Sequence, residues 1–249
     1  MIKSFSEFIG ERMDPKSEFI KSLATSLIEK IRNSSKDESE SYVEFSGMEF
    51  TEPFIFDLIL NVRRDLDPVM EEDNHFNRIP WEKLNFDDYG YAIDANAKMS
   101  KISRVVPKIV IHLILNPKRE PHSYDKLYHR LLDLLTHETN HLNQIGMNRT
   151  PFNVKNSDKE ERNNSKKSYN YFLLIDEIES MVEGMYVRSK SQRMSLDEVF
   201  DEYLMPFIES GYITQEQYQK VISTWVKRAL EIYPDAKFSP KVANIINSN

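Results

Sequence analysis

The sequence predicts an α+β fold, with a small sheet from the first half, two helices that follow it, and a helical C-terminal part. Three observations predict it. The first half holds short runs rich in β-branched and aromatic residues, separated by Gly47, Pro53, Pro107 and Pro117. Residues 124–145 carry Leu127, Leu131, Leu134, Leu135, Leu142 and Ile145 at helical spacing. From Ser195 onward the pattern is helical, with capping-box signals at Ser195 and Glu198 and at Thr214 and Gln217. Only 6 glycines in 249 residues disfavour a turn-rich all-β alternative. The expected division is a first domain over residues 1–190 and a helical extension over 191–249.

Taken in order, Asp14 and Pro15 read as an N-cap followed by proline at the first helical position. Phe19, Ile20, Leu23, Leu27, Ile28 and Ile31 then carry a helix to about Arg32. Residues 33–41 are polar and acidic, an exposed loop. Residues 42–45 and 54–62 are neighbouring strands, 67–88 are irregular, and 89–95 form another strand. The clearest strand is 107–117, ended sharply by its two prolines. Residues 148–168 lack apolar periodicity and read as a mobile connection or lid. Residues 169–188 return to a strong helical pattern.

Composition removes several classes of function. A net charge of −7 gives no electrostatic case for nucleic acid or an anionic membrane. The absence of cysteine excludes a disulfide framework and any Cys-ligated metal, leaving His and carboxylate ligands. No run approaches about 18 apolar residues, so a membrane span is not expected. The first residues lack the apolar core of a signal peptide, so the expected setting is cytosolic, in a bacterium or a phage-infected cell.

One motif carries chemistry. His137-Glu138-Thr139-Asn140-His141 spells H-E-x-x-H inside the helix of residues 124–145. Positions i and i+4 share a helical face, so both imidazoles can address one point at the roughly 2.0–2.1 Å that zinc requires. Glu138 projects about 100° round from His137, within reach of a water beside that point without being a ligand. With 6 His and 40 acidic residues, the pattern arises by accident in on the order of one such sequence in a hundred. The competing reading is two core-edge histidines around an exposed glutamate.

A catalytic zinc needs a third protein ligand and an open position. The helix following the polar connection offers Asp176, Glu177, Glu179 and Glu183. Glu177 shares a face with Leu173, Ser180, Met181 and Gly184, and the small Ser180 and Gly184 would let that face approach a neighbour closely. Asp176, Glu179 and Glu183 fall on a more solvated line. Glu177 therefore ranks first and Glu179 second.

The motif, with a downstream helix carrying Glu177-Ile178-Glu179-Ser180, resembles the gluzincin type of zinc metallopeptidase over about residues 105–188. The layout is also similar to uncharacterised peptidases encoded by tailed phages. The resemblance implies a zincin-like sheet packed on the first metal helix, zinc held by His137, His141 and Glu177, and Glu138 as general base in peptide-bond hydrolysis. It also implies an edge strand, near residues 109–115 in chain order, holding an extended peptide by β-augmentation. The expected partner is a peptide or protein substrate. Many members orient the first histidine with an Asp four residues after the ligand Glu. Met181 stands there, so another group must take that part. Tyr169, Tyr171, Tyr186, His129 and Arg188 stay open as stabilisers of a developing oxyanion. The rival reading is a non-catalytic interaction or virion-associated protein on the same scaffold. A purely structural zinc would need a fourth ligand, from His75, His112, His122 or His129.

Overall fold

The computed structural model describes residues 15–34, 40–50, 54–64, 90–98, 106–116, 124–146, 169–209 and 211–242. Its elements are α1 (Pro15–Asn33), β1 (Glu40–Phe50), β2 (Phe54–Arg63), β3 (Tyr91–Lys98), β4 (Lys108–Leu115) and α2 (Asp125–Gly146), then a 3₁₀ turn (Tyr171–Leu173), α3 (Ile175–Gln192), α4 (Leu196–Glu209) and α5 (Gln215–Ile232). This is an α+β arrangement: a small mixed sheet followed by a mostly helical C-terminal part. The irregular segment expected over 67–88 and the connection over 148–168 lie outside the described residues.

Strand order is β1-β2-β4-β3. β1 and β2 form an antiparallel pair, β2 runs parallel to β4, and β3 is antiparallel to β4. Successive strand residues face opposite sides, and Phe56, Leu58, Leu60, Val62, Ile109, Ile111, Leu113 and Leu115 share the buried side. That side packs into one core with Ile20, Leu23, Leu27 and Ile31 of α1 and with Leu127, Leu131 and Leu135 of α2. Asn61, His112 and Asp94 form a cross-strand row on the other side. His112 is thereby turned away from α2.

Two strand expectations need correction. The strand near residues 109–115 is not an edge: β4 is hydrogen-bonded to β2 on one side and β3 on the other. Its ladder groups are already paired, so it cannot add a peptide by β-augmentation. Among the described strands the edges are β1 and β3, and β3 packs on α2. Chain order hides this, because β3 precedes β4 yet pairs on its outer side. The strand read as 42–45 is also longer. Gly47, with φ 65°, makes a bulge between Phe45 and Met48 and donates its N–H to Asp57 Oδ1 at 3.0 Å, so β1 continues past it.

A second core gathers Phe172, Ile178, Met181, Val182 and Met185 with Phe200 and Leu204 of α4 and Trp225 of α5. The helix expected over 169–188 is interrupted here. Leu174 is extended (φ −70°, ψ 130°), separating the 3₁₀ turn from α3. The Trp225 indole N–H donates to the Phe172 carbonyl at 2.9 Å, taking the acceptor that an unbroken helix would use four residues on. Thr214 and Gln217 form the full reciprocal capping box of α5. At the start of α4 the Ser195 N–H and hydroxyl both donate to Glu198.

The two cores meet where α3 lies on α2. A Cβ at Gly184 would sit 2.6 Å from both the backbone oxygen and Oδ1 of Asp133, so only glycine permits this approach. Asp133 is itself held by Arg130, whose guanidinium lies 5.3 Å from the centroid of the Tyr203 ring. Gly184→Ala should gain about 1 kcal/mol of helix propensity yet lose about 1–3 kcal/mol to overpacking. The expected result in urea unfolding is a net loss, larger for Gly184→Val. A variant as stable as wild type would show that the two helices separate without cost.

Candidate metal centre

Nine consecutive residues of α2, 131–139, are buried, so this stretch of helix is enclosed all round. Its polar residues are satisfied locally: the Thr136 and Thr139 hydroxyls donate to the carbonyls of Leu132 and Leu135, each at 2.7 Å. His137 and His141 stand one turn apart with rings edge to face, 4.6 Å between centroids. Glu138 is not exposed, as a bland reading of the motif would have it, but buried at 5 % exposure.

Three donor atoms converge. His137 Nε2 and His141 Nε2 are 3.0 Å apart, and Glu177 Oε2 lies 3.6 Å from the first and 3.3 Å from the second. Tetrahedral ligands at 2.0–2.1 Å from a zinc ion would be separated by about 3.3 Å. The triangle therefore has the size of one face of such a coordination sphere. Among the described residues it is the one group of three His or acidic side chains close enough to hold a metal ion. Glu138 Oε1 sits beside it, 3.9 Å from His137 Nε2.

The remaining acids of α3 are not part of the triangle. Glu179 pairs with Arg228 of α5, Glu183 pairs with Lys16 of α1, and the Asp176 carbonyl accepts from Gln144. Glu177 is also gripped by the Tyr171 hydroxyl, which donates to the same Oε2 at 2.6 Å. The extended Leu174 makes that bond reachable by letting the 3₁₀ turn fold back over the first turn of α3. Of the other groups open as oxyanion stabilisers, Tyr186 stacks on Tyr233 and bonds Asp235, Arg188 pairs with Glu202, His129 bonds Ser191, and Tyr169 lies under Lys220. His112 and His129, weighed as a fourth ligand, lie apart from the triangle; His75 and His122 fall outside the described residues. Met181 is packed in the second core.

Without a metal the triangle is an ion pair. Burial alone would depress His141, but the Glu177 carboxylate beside it, helped by Glu138 and Gln144, lifts its pKa to about 9. Burial would raise Glu177, yet His141, His137 and Tyr171 together hold it far below the usual carboxylate range. Burial, and then the Glu177 carboxylate beside it, push Tyr171 well above an ordinary phenol, so it stays a neutral donor.

Two partners of the triangle escape a reading by motif. Gln144 Oε1 lies 2.9 Å from His141 Nδ1 while Gln144 Nε2 donates to the Asp176 carbonyl at 3.0 Å. Its signal was available: Gln144 stands three residues after His141, on the same face. Tyr171 as a partner of Glu177 depends on the break at Leu174, which no local pattern announces. Comparison with protein-family models, curated proteins and solved structures finds no significant match to the chain.

Glu177→Ala should weaken zinc binding at least about a hundredfold, by analogy with loss of a direct ligand. Glu179→Ala and Glu183→Ala should change it only a few-fold, since those carboxylates are held by Arg228 and Lys16. Equal effects in a chelator-competition titration would remove Glu177 from the donor set. A second expectation concerns protons. Because His141 is protonated up to about pH 9 in the metal-free form, a metal ion taking Nε2 as a ligand would have to displace that proton. Apparent affinity should then rise about tenfold per pH unit below that point. Calorimetry in buffers of different ionisation enthalpy should report about one proton released from this residue near pH 7.5. No buffer dependence would contradict the assignment.

Proposed function

We propose that the chain is a zinc-dependent peptidase, with His137, His141 and Glu177 holding the metal and Glu138 acting as general base. The observation carrying this reading is the donor triangle of 3.0, 3.3 and 3.6 Å with the Glu138 carboxylate at its side, 3.9 Å from His137 Nε2. Two neutral imidazoles and one carboxylate fit a borderline ion such as zinc, and a set of three leaves a fourth position for chemistry. When bound, zinc would supply a Lewis acid that polarises a carbonyl and brings the pKa of a water towards 7.

The chain's own residues then have distinct tasks. Glu138, projecting from the same helical turn as His137, takes the proton of the attacking water and later delivers it to the leaving amine. Burial around Glu138 and Glu177 excludes bulk water and strengthens each local charge. Tyr171 holds Glu177 Oε2 in place through its 2.6 Å hydrogen bond. A peptide backbone would align along β3, the described edge strand packed on α2.

A second reading, a non-catalytic protein on the same scaffold, draws on the burial itself. His137, Glu138 and Glu177 are 7 %, 5 % and 4 % exposed, which leaves little of the triangle open to a peptide. Zinc content alone does not separate the two readings; dependence on Glu138 does.

Purified wild type should carry about one zinc per chain, and His137→Ala and His141→Ala should lose it. Glu138→Gln keeps the shape and most hydrogen-bonding capacity of the side chain. It should retain zinc and fold while hydrolysis falls at least about a hundredfold. The assay is incubation with a proteome-derived peptide library, with new termini read by mass spectrometry. Cleavage at equal rates by both proteins would remove Glu138 from the mechanism, and no cleavage by zinc-loaded wild type would favour the non-catalytic reading.

A further inference from the structure

The orientation of His141 can be deduced from a backbone atom. Gln144 Nε2 lies 3.0 Å from the Asp176 carbonyl oxygen. A carbonyl can only accept, so the amide nitrogen must be the atom on that side and the amide oxygen must face the other way. That oxygen is 2.9 Å from His141 Nδ1. An amide oxygen can also only accept, so Nδ1 carries a hydrogen. In the neutral ring, Nε2 is then the bare lone pair, and it is Nε2 that faces His137 Nε2 and Glu177 Oε2. The order of fixed choices runs from peptide carbonyl to amide to imidazole to donor atom.

Ser180 is the other polar group near His141 Nδ1, and it is weaker. Its hydroxyl is 3.4 Å away, beyond the usual N–H to oxygen range, whereas Gln144 Oε1 is at 2.9 Å. Gln144 is 4 % exposed, so water does not compete for its amide. The peptide it bonds on α3, Asp176, immediately precedes Glu177. One side chain thus spans α2 and α3, touching a donor histidine at one end and the backbone beside the donor carboxylate at the other.

We infer that Gln144 is the positioning residue of the centre: it locks His141 in the Nδ1–H tautomer and ties that imidazole to the backbone that presents Glu177. This rests on the metal-binding half of the reading above. It assigns to a neutral amide the part that a carboxylate commonly plays behind a metal-bound histidine. A neutral partner has a physical advantage here. A further buried carboxylate beside Glu138 and Glu177 would add like charge to a site that has little water to screen it.

The test uses the full chain with Gln144→Leu, Gln144→Glu and Ser180→Ala. Leucine keeps the volume but removes both hydrogen bonds. Glutamate restores an acceptor for His141 Nδ1–H while giving up the donor to Asp176. Imidazole ¹⁵N NMR on metal-free protein near pH 10 reads the tautomer directly, and competition with a chromophoric chelator reads zinc affinity. Wild type and Ser180→Ala should show Nδ1–H. Gln144→Leu should shift towards Nε2–H, the form that imidazole favours in water, and lose about 10–100-fold in zinc affinity. Gln144→Glu should recover the Nδ1–H tautomer, with a zinc affinity between those of Gln144→Leu and wild type. The inference is overturned if Gln144→Leu keeps the tautomer and affinity of wild type. It is equally overturned if Gln144→Glu fails to recover the Nδ1–H tautomer, since an acceptor at this position would then not set it. Wild type that shows the locked tautomer yet takes up no zinc would sink the metal reading and leave the tautomer lock supported.

Discussion

At Gly184 the backbones of α2 and α3 approach so closely that a single methyl group would sit 2.6 Å from Asp133. The rest of the centre depends on that contact. Glu177 lies seven residues earlier on α3, two turns along the same face, and His137 lies four residues after Asp133 on α2. The closest point of the helix pair is therefore displaced from the donor triangle, and it sets the separation at which the triangle forms. Ser180, fully buried between the two, lets that proximity persist along the face.

Burying two histidines and two glutamates in one place is costly unless each charge finds a partner. The metal-free chain meets that cost with a protonated His141 against an ionised Glu177 and with a neutral phenol from Tyr171. These partners come from α2, from α3 and from the 3₁₀ turn before it. The surrounding aromatic packing of Phe172 on Trp225 and Phe207 fixes that turn. Local polarity is thus supported by apolar contacts well away from it.

How much of this was legible follows from the range of the signal. Periodicity on α3 separates Glu177 from Glu179 and Glu183 because the small residues mark the face that can come near another helix. The capping residues of α4 and α5 are legible because their partners are three positions away. The α+β layout, with its small sheet and helical C-terminal part, is likewise written in local patterns. What could not be read is long-range. Whether β4 is central or an edge depends on which strands pair across dozens of residues. The break at Leu174 depends on an indole 53 residues downstream of the carbonyl it takes. Gln144 sits on a legible face, but its partner on α3 lies outside any local window.

The division of the apolar core has a consequence for cooperativity. α2 packs its leucines with the sheet and α1, whereas α3 packs Ile178, Met181 and Val182 with α4 and α5. The donor triangle draws two atoms from the first group and one from the second. Each core can open by its own local fluctuation, at its own free energy, in the manner of separate foldons. An ion bound across the seam would lose the Glu177 donor once the halves part, so the free energy of that third bond would be added to every opening that separates α2 from α3. Occupancy would then act as a reversible staple, merging two units of hydrogen exchange into one.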